Sequence, residues 1–85
     1  MRGSETVLLV EDEEMVRDLV QFSLEEAGYR VLAAASGRAA LALAAAHPTA
    51  IEIVVTDVLM PQMSGRELAE QFQLLYPAMK VLFTS

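Results

Sequence analysis

Cysteine and tryptophan are absent from the 85-residue chain, and proline and glycine are sparse, at three and four residues. The lack of thiols excludes a disulfide framework and a thiolate metal site, which fits the cytosol, the compartment expected here. Basic residues are few: six Lys and Arg stand against twelve Asp and Glu, for a net charge of -6. Such a balance lacks the basic footprint that nucleic-acid binding needs, and it disfavours docking on anionic membranes. No apolar run reaches the roughly 18 residues of a membrane span. Met1-Arg2-Gly3-Ser4 is too short and polar for a signal peptide, and residues 1–5 read as a tag or linker.

What is present is apolar. A content of 54% apolar and 21% charged residues describes a packed core rather than a disordered tail. Eighty-five residues make one small domain, 1–85, which buries a limited fraction of its surface and leaves no room for a second.

The most informative run is Ile51-Glu52-Ile53-Val54-Val55-Thr56-Asp57-Val58-Leu59-Met60-Pro61-Gln62-Met63-Ser64-Gly65. Ile53 to Val55 are β-branched and apolar without alternation, the pattern of a parallel strand covered on both faces. A carboxylate inside such a strand would be costly. At the strand's C-terminal end, however, Asp57 can face a crevice, which is where open α/β sheets bind their ligands. Pro61 and Gly65 bracket a loop, and Ser64-Gly65-Arg66-Glu67 reads as a capping box that starts a helix.

Earlier in the chain, Thr6 to Val10 is a short apolar run that reads as a buried strand, followed abruptly by Glu11-Asp12-Glu13-Glu14. From Met15 the period becomes helical, with Val16, Leu19, Val20, Leu24 and Ala27 on one side and Arg17, Asp18, Glu25 and Glu26 on the other. Gly28 caps that helix at its C-terminus. Arg30 to Ala35 is a second strand, and Ser36 N-caps an alanine-rich helix running to about His47 and stopped by Pro48. Ile51 to Thr56 is the third strand. Ser64 to Tyr76 is the third helix, with Leu68, Phe72 and Leu75 on its apolar side and Pro77 ending it. Lys80 to Thr84 opens a fourth strand. The alternation β1-α1-β2-α2-β3-α3-β4 is the signature of right-handed crossovers and a parallel α/β sheet.

Val7-Leu8-Leu9-Val10-Glu11-Asp12-Glu13, taken with the run from Ile51 to Gly65, closely resembles the receiver domain of two-component response regulators, of the chemotaxis-regulator kind. The resemblance covers Glu5 to Ser85. Its opening at Ser4 to Glu13 and its close at Val81-Leu82-Phe83-Thr84-Ser85 look most like receivers attached to hybrid sensor kinases. It implies a flavodoxin-like sheet of order 2-1-3-4. It also implies that Asp57 accepts a phosphoryl group from a histidine kinase, supplied in trans or in the same polypeptide, in a Mg²⁺-dependent reaction. With that order, the strand ends carrying Glu11, Asp12 and Asp57 lie roughly 5 Å apart. Three carboxylates so placed repel one another unless a hard cation neutralises them.

By the same resemblance, Asp12 and Asp57 would touch Mg²⁺, or Mn²⁺ in its place, Glu11 would reach it through water, and the carbonyl of Leu59 would add an oxygen. Ser85, with Thr84 as the adjacent alternative, aligns with the hydroxyl residue that hydrogen-bonds the phosphoryl group. Glu11 stands where aspartate is commoner. The family's fourth helix, lysine-bearing fifth strand and fifth helix are missing, and Lys80 is at the wrong end of its strand to replace that lysine. The chain is therefore expected to be an N-terminal portion of a receiver, with one sheet face partly uncovered and an apolar edge at Val81 to Phe83 prone to self-association.

Blander readings stand beside this one. Glu11 to Glu14 also suit an N-cap and the first turn of a helix, where the dipole favours acids, and Glu13 and Glu14 are assigned to that role. Asp57 also suits a turn before Pro61. Two other function classes remain open. One is a binding or dimerisation module without phosphorylation. The other is a Mg²⁺-dependent phosphatase of the haloacid-dehalogenase type, which needs a second acid where Leu59 stands.

Overall fold

A computed structural model describes residues 5–60 and 63–84. Expectations placed on Met1 to Ser4, Pro61 and Ser85 lie outside the described residues. The element order is β1 (Thr6–Val10), α1 (Glu14–Glu26), β2 (Arg30–Ala34), α2 (Gly37–Ala46), β3 (Ile51–Thr56), α3 (Gly65–Leu75) and β4 (Lys80–Phe83). The strands form one sheet of order β2-β1-β3-β4, and every neighbouring pair is parallel. This is the flavodoxin-like α/β arrangement, with its switch point between β1 and β3.

Local chemistry accounts for the helix boundaries. The Ser36 hydroxyl accepts the Ala39 N–H at 3.1 Å to start α2. Ser64 and Glu67 form a reciprocal capping box at the start of α3, with bonds of 3.0 and 3.1 Å. Helix α1 ends in a Schellman turn: the Gly28 N–H reaches the Glu25 carbonyl and the Tyr29 N–H the Leu24 carbonyl. Gly28 sits at a φ of 101°, a left-handed conformation in which a side chain would be strained, so glycine is required there. Among the described residues no helix is long and apolar enough to cross a membrane.

Alternate residues of each strand point to opposite faces. Leu8, Val10, Ala34 and Val54 pack with Ala40 and Ala44 of α2 and Leu68 and Phe72 of α3, and these residues form the core. Val7 and Leu9, also buried, point the other way, where α1 crosses β1 and β2.

That second face departs from three expectations. The third strand is not covered on both sides: Val54 and Thr56 are buried, but Ile53 and Val55 are only half-buried, because α1 packs on β1 and β2 and leaves β3 and β4 open. For the same reason α1 buries none of its residues fully. Val20 and Leu24 of the expected stripe are half-covered, while Val16, Leu19 and Ala27 are exposed. Arg17, expected on the solvated side, is half-buried. On α3, Leu68 and Phe72 are inside as expected, but Leu75 is exposed, and the following residue, Tyr76, turns its ring toward Phe72 at a centroid distance of 5.8 Å.

Candidate functional site

Strands β1 and β3 run side by side with Val10 opposite Thr56, so the next residues of both leave the sheet at the same end. The Asp57 N–H still bonds the Val10 carbonyl at 3.4 Å, and the Glu11 N–H bonds the Ala34 carbonyl at 3.0 Å. Glu11, Asp12 and Asp57 are thereby brought together: each offers a carboxylate oxygen, and these oxygens lie within 4.8 Å of one another. Glu11 is buried, Asp57 half-buried and Asp12 exposed, so the cluster runs from the interior to the solvent-facing surface.

Burial pushes the Glu11 carboxyl above its ordinary range, and the neighbouring charge of Asp57 and the bond and charge of Asp12 push the same way. The Glu13 N–H, donated to Glu11 Oε2 at 3.1 Å, opposes the rise. Glu13 occupies the N-cap position of α1 but makes no side-chain cap bond, Glu14 is the acid in the first turn as expected, and the Glu11 carboxylate holds the N–H of the N-cap residue. A carboxyl whose folded pKa is raised stabilises the fold below its unfolded value, and that contribution is lost as pH rises through the folded value. Glu11→Gln keeps the acceptor for Glu13 and removes the charge. The metal-free variant is therefore expected to melt at a higher temperature than the parent at pH 7, with the gain vanishing in thermal scans below pH 4.5, the ordinary glutamate value.

An all-oxygen donor set with excess negative charge suits a hard divalent cation such as Mg²⁺ or Mn²⁺ and not a soft one. The residues present fit such an ion in kind and number.

The loop after Asp57 is held by main-chain groups. Asp57 Oδ1 accepts the Leu59 N–H at 3.0 Å, and the buried Thr56 hydroxyl donates to the Asp57 carbonyl at 3.0 Å. Leu59 itself is exposed, as is Thr84, whose N–H bonds the Thr56 carbonyl at 3.0 Å and so carries the end of β4 to within one residue of Asp57. Lys80 pairs with Ile53 at the opposite end of the sheet.

The supporting roles of two residues escaped the sequence reading. Gly65 is expected to close a loop and to belong to a cap, and the structure adds a close approach to the backbone of Asp57. The Gly65 N–H bonds the Val58 carbonyl at 2.9 Å, and a Cβ there would press on the Asp57 carbonyl oxygen and lie 2.9 Å from Val58 Cα. The obstructing atoms are backbone and cannot step aside. Gly65→Ala is expected to destabilise by about 1–3 kcal/mol, the range for overpacking, read as a lowered urea midpoint, and to disturb Asp57 because the α3 terminus must back away from it. The other residue is Arg17, whose Nη1 donates to the Glu11 carbonyl at 3.0 Å. Its position on the expected solvated side of α1 gave no signal for this bond.

Comparison with known proteins gives a consistent result. The family model described as response regulator receiver domain matches residues 7–85. The chain is similar to the sensor kinase CckA of Brucella abortus, 42% identical over 85 residues, covering all of this chain and 9% of that protein. Among solved structures, the receiver domain from the hybrid histidine kinase CckA superposes with a TM-score of 0.85 at 35% identity, covering 92% of this chain and 72% of that one. The complex of histidine kinase ThkA with response regulator protein TrrA matches with a TM-score of 0.82 at 29% identity, covering 93% of this chain and 66% of that one. The chain thus spans a small part of the curated relative and about two thirds of these structures.

Proposed function

The chain belongs to the response regulator receiver domain family, and from that premise we propose that Asp57 takes a phosphoryl group from a histidine kinase in a Mg²⁺-dependent reaction. The observation that carries this reading is the convergence of Glu11, Asp12 and Asp57 at the C-terminal ends of β1 and β3. Receivers are regulatory phosphoacceptors rather than classical enzymes.

The Asp57 carboxylate is the nucleophile: its oxygen forms a bond to phosphorus as the bond from phosphorus to the kinase imidazole breaks, and the imidazole leaves with the electron pair. When bound, Mg²⁺ would neutralise charge on the phosphoryl oxygens and draw them toward the carboxylates. Asp12 and Asp57 are assigned as its direct ligands, with Glu11 through water and the Leu59 carbonyl as a further oxygen. The chain's own contribution is positioning. The Leu59 N–H fixes the Asp57 rotamer, and the Thr56 hydroxyl anchors its backbone. Thr84 and Ser85 are the assigned hydroxyls for the phosphoryl oxygens.

A histidine kinase is the proposed partner. The resemblance to CckA favours a kinase in the same polypeptide, and ThkA with TrrA is a precedent for one in trans. Self-association belongs to the proposal too: Leu82 and Phe83 are 54% and 49% exposed on an edge strand, and sedimentation should show association that grows with concentration. The phosphatase reading is disfavoured by Leu59, an exposed apolar residue where a second acid is needed.

The test is incubation with Mg²⁺ and a small acyl phosphate followed by intact mass, on this chain and on a longer polypeptide extending past Ser85. One added phosphoryl group that is lost on chelating the metal supports the proposal. No gain in the longer polypeptide overturns it in favour of a binding module, and steady turnover of phosphate esters would favour the phosphatase.

A further inference from the structure

Glu11 is held at three points. Its N–H is held by the Ala34 carbonyl at 3.0 Å, its carboxylate by the Glu13 N–H at 3.1 Å, and its carbonyl by Arg17 Nη1 at 3.0 Å. The last two bonds run in opposite directions across the three residues that join β1 to α1. The carboxylate of residue 11 reaches forward to the helix start, and the guanidinium of residue 17 reaches back to the strand end. Asp12 lies inside that closed loop.

Arg17 is the fourth residue of α1, near the positive end of the helix dipole, where a cation is disfavoured. It is half-buried although its helix buries nothing fully. Its bond to the Glu11 carbonyl accounts for a half-buried cation at this place.

Resting on the Mg²⁺ reading above, we propose that Arg17 is a positioning residue for the metal site: by fixing the Glu11 carbonyl it sets the backbone from which the Glu11 and Asp12 carboxylates project toward Asp57.

The sign of one measurement separates this role from simple electrostatics. A cation close to a metal site repels the ion, so an arginine acting only through its charge would weaken Mg²⁺ binding, and its removal would strengthen it. A positioning arginine does the reverse. The probe is Mg²⁺ alone, titrated into the chain and followed by the amide NMR shifts of Asp12 and Asp57. Arg17→Met, which keeps the apolar stem and loses the donor, is expected to weaken Mg²⁺ binding by about tenfold, the low end for loss of an outer support of a metal ligand. Arg17→Lys, which keeps a donor and the charge, should recover part of the loss. Should Arg17→Met fail to fold, Arg17→Lys alone decides, with weaker binding than the parent at an unchanged melting temperature as the expected result.

Binding by Arg17→Met as tight as the parent's, or tighter, overturns the inference and leaves the metal site standing. So does a lowered melting temperature with unchanged affinity. No shift on adding Mg²⁺ to the parent chain overturns the metal reading, and this inference with it.

Discussion

Asp57→Asn is expected to abolish phosphoryl uptake altogether while leaving the fold intact. Asparagine is isosteric, and its side-chain oxygen can still accept the Leu59 N–H that Asp57 Oδ1 accepts at 3.0 Å. What it lacks is the anionic oxygen proposed to attack phosphorus; an amide oxygen is a far weaker nucleophile. It also removes one of three charges gathered within 4.8 Å, so the site attracts a cation less strongly. The measurement is intact mass after incubation with Mg²⁺ and acyl phosphate, paired with a thermal scan. The variant should show no added phosphoryl group and an undiminished melting temperature. A full gain of mass in Asp57→Asn would place the acceptor elsewhere.

The largest expected effect on stability is at Phe72. Its side chain is 0% exposed, packs with Leu68 in the core between sheet and helices, and meets the Tyr76 ring at 5.8 Å with the planes 42° apart. Phe72→Ala removes most of that contact and leaves a cavity that a helix anchored at Ser64 cannot collapse to fill. The cost is about 3–5 kcal/mol, against a total of about 5–15 kcal/mol for a typical domain and a modest core in a chain of 85 residues. The urea midpoint should fall in proportion to that loss, with an unchanged m-value. Leu75→Ala, three residues on but 59% exposed, should move it little. Because α3 begins at the loop after Asp57, Phe72→Ala should also loosen the site before global unfolding, visible as faster amide exchange at Leu59 and Gly65.

The two variants separate what was readable in the chain from what was not. Asp57 was identifiable as a candidate because it follows an apolar β-branched strand and precedes a loop and a capping box, all local signals. The boundaries of all seven elements were legible for the same reason. Strand, cap and turn preferences act over a few residues, and here Ser36, Ser64 and Gly28 each obey them. Leu68 and Phe72 followed from helical period. Leu75 did not, because the period gives a stripe and not its width, and the sheet meets α3 along only part of that stripe.

Gly65 and Arg17 mark the other boundary. Nothing in the string around Ser64 says that the backbone of Asp57 and Val58 will lie against the next residue, and nothing around Arg17 says that its guanidinium will turn back to Glu11 rather than out to water.

From the sequence alone came the alternation of strands and helices, their caps, the acidic balance, and the two carboxylate-bearing segments. These rest on interactions between residues close along the chain, which composition and spacing encode directly. The strand order had to come from the family resemblance, since alternation is compatible with several orders. Tertiary structure decided the contact of Glu11 and Asp12 with Asp57, through parallel pairing of β1 with β3. It also decided the burial that raises the Glu11 carboxyl, and the exposure of α1, because each depends on which distant surfaces come to rest against a residue and which do not.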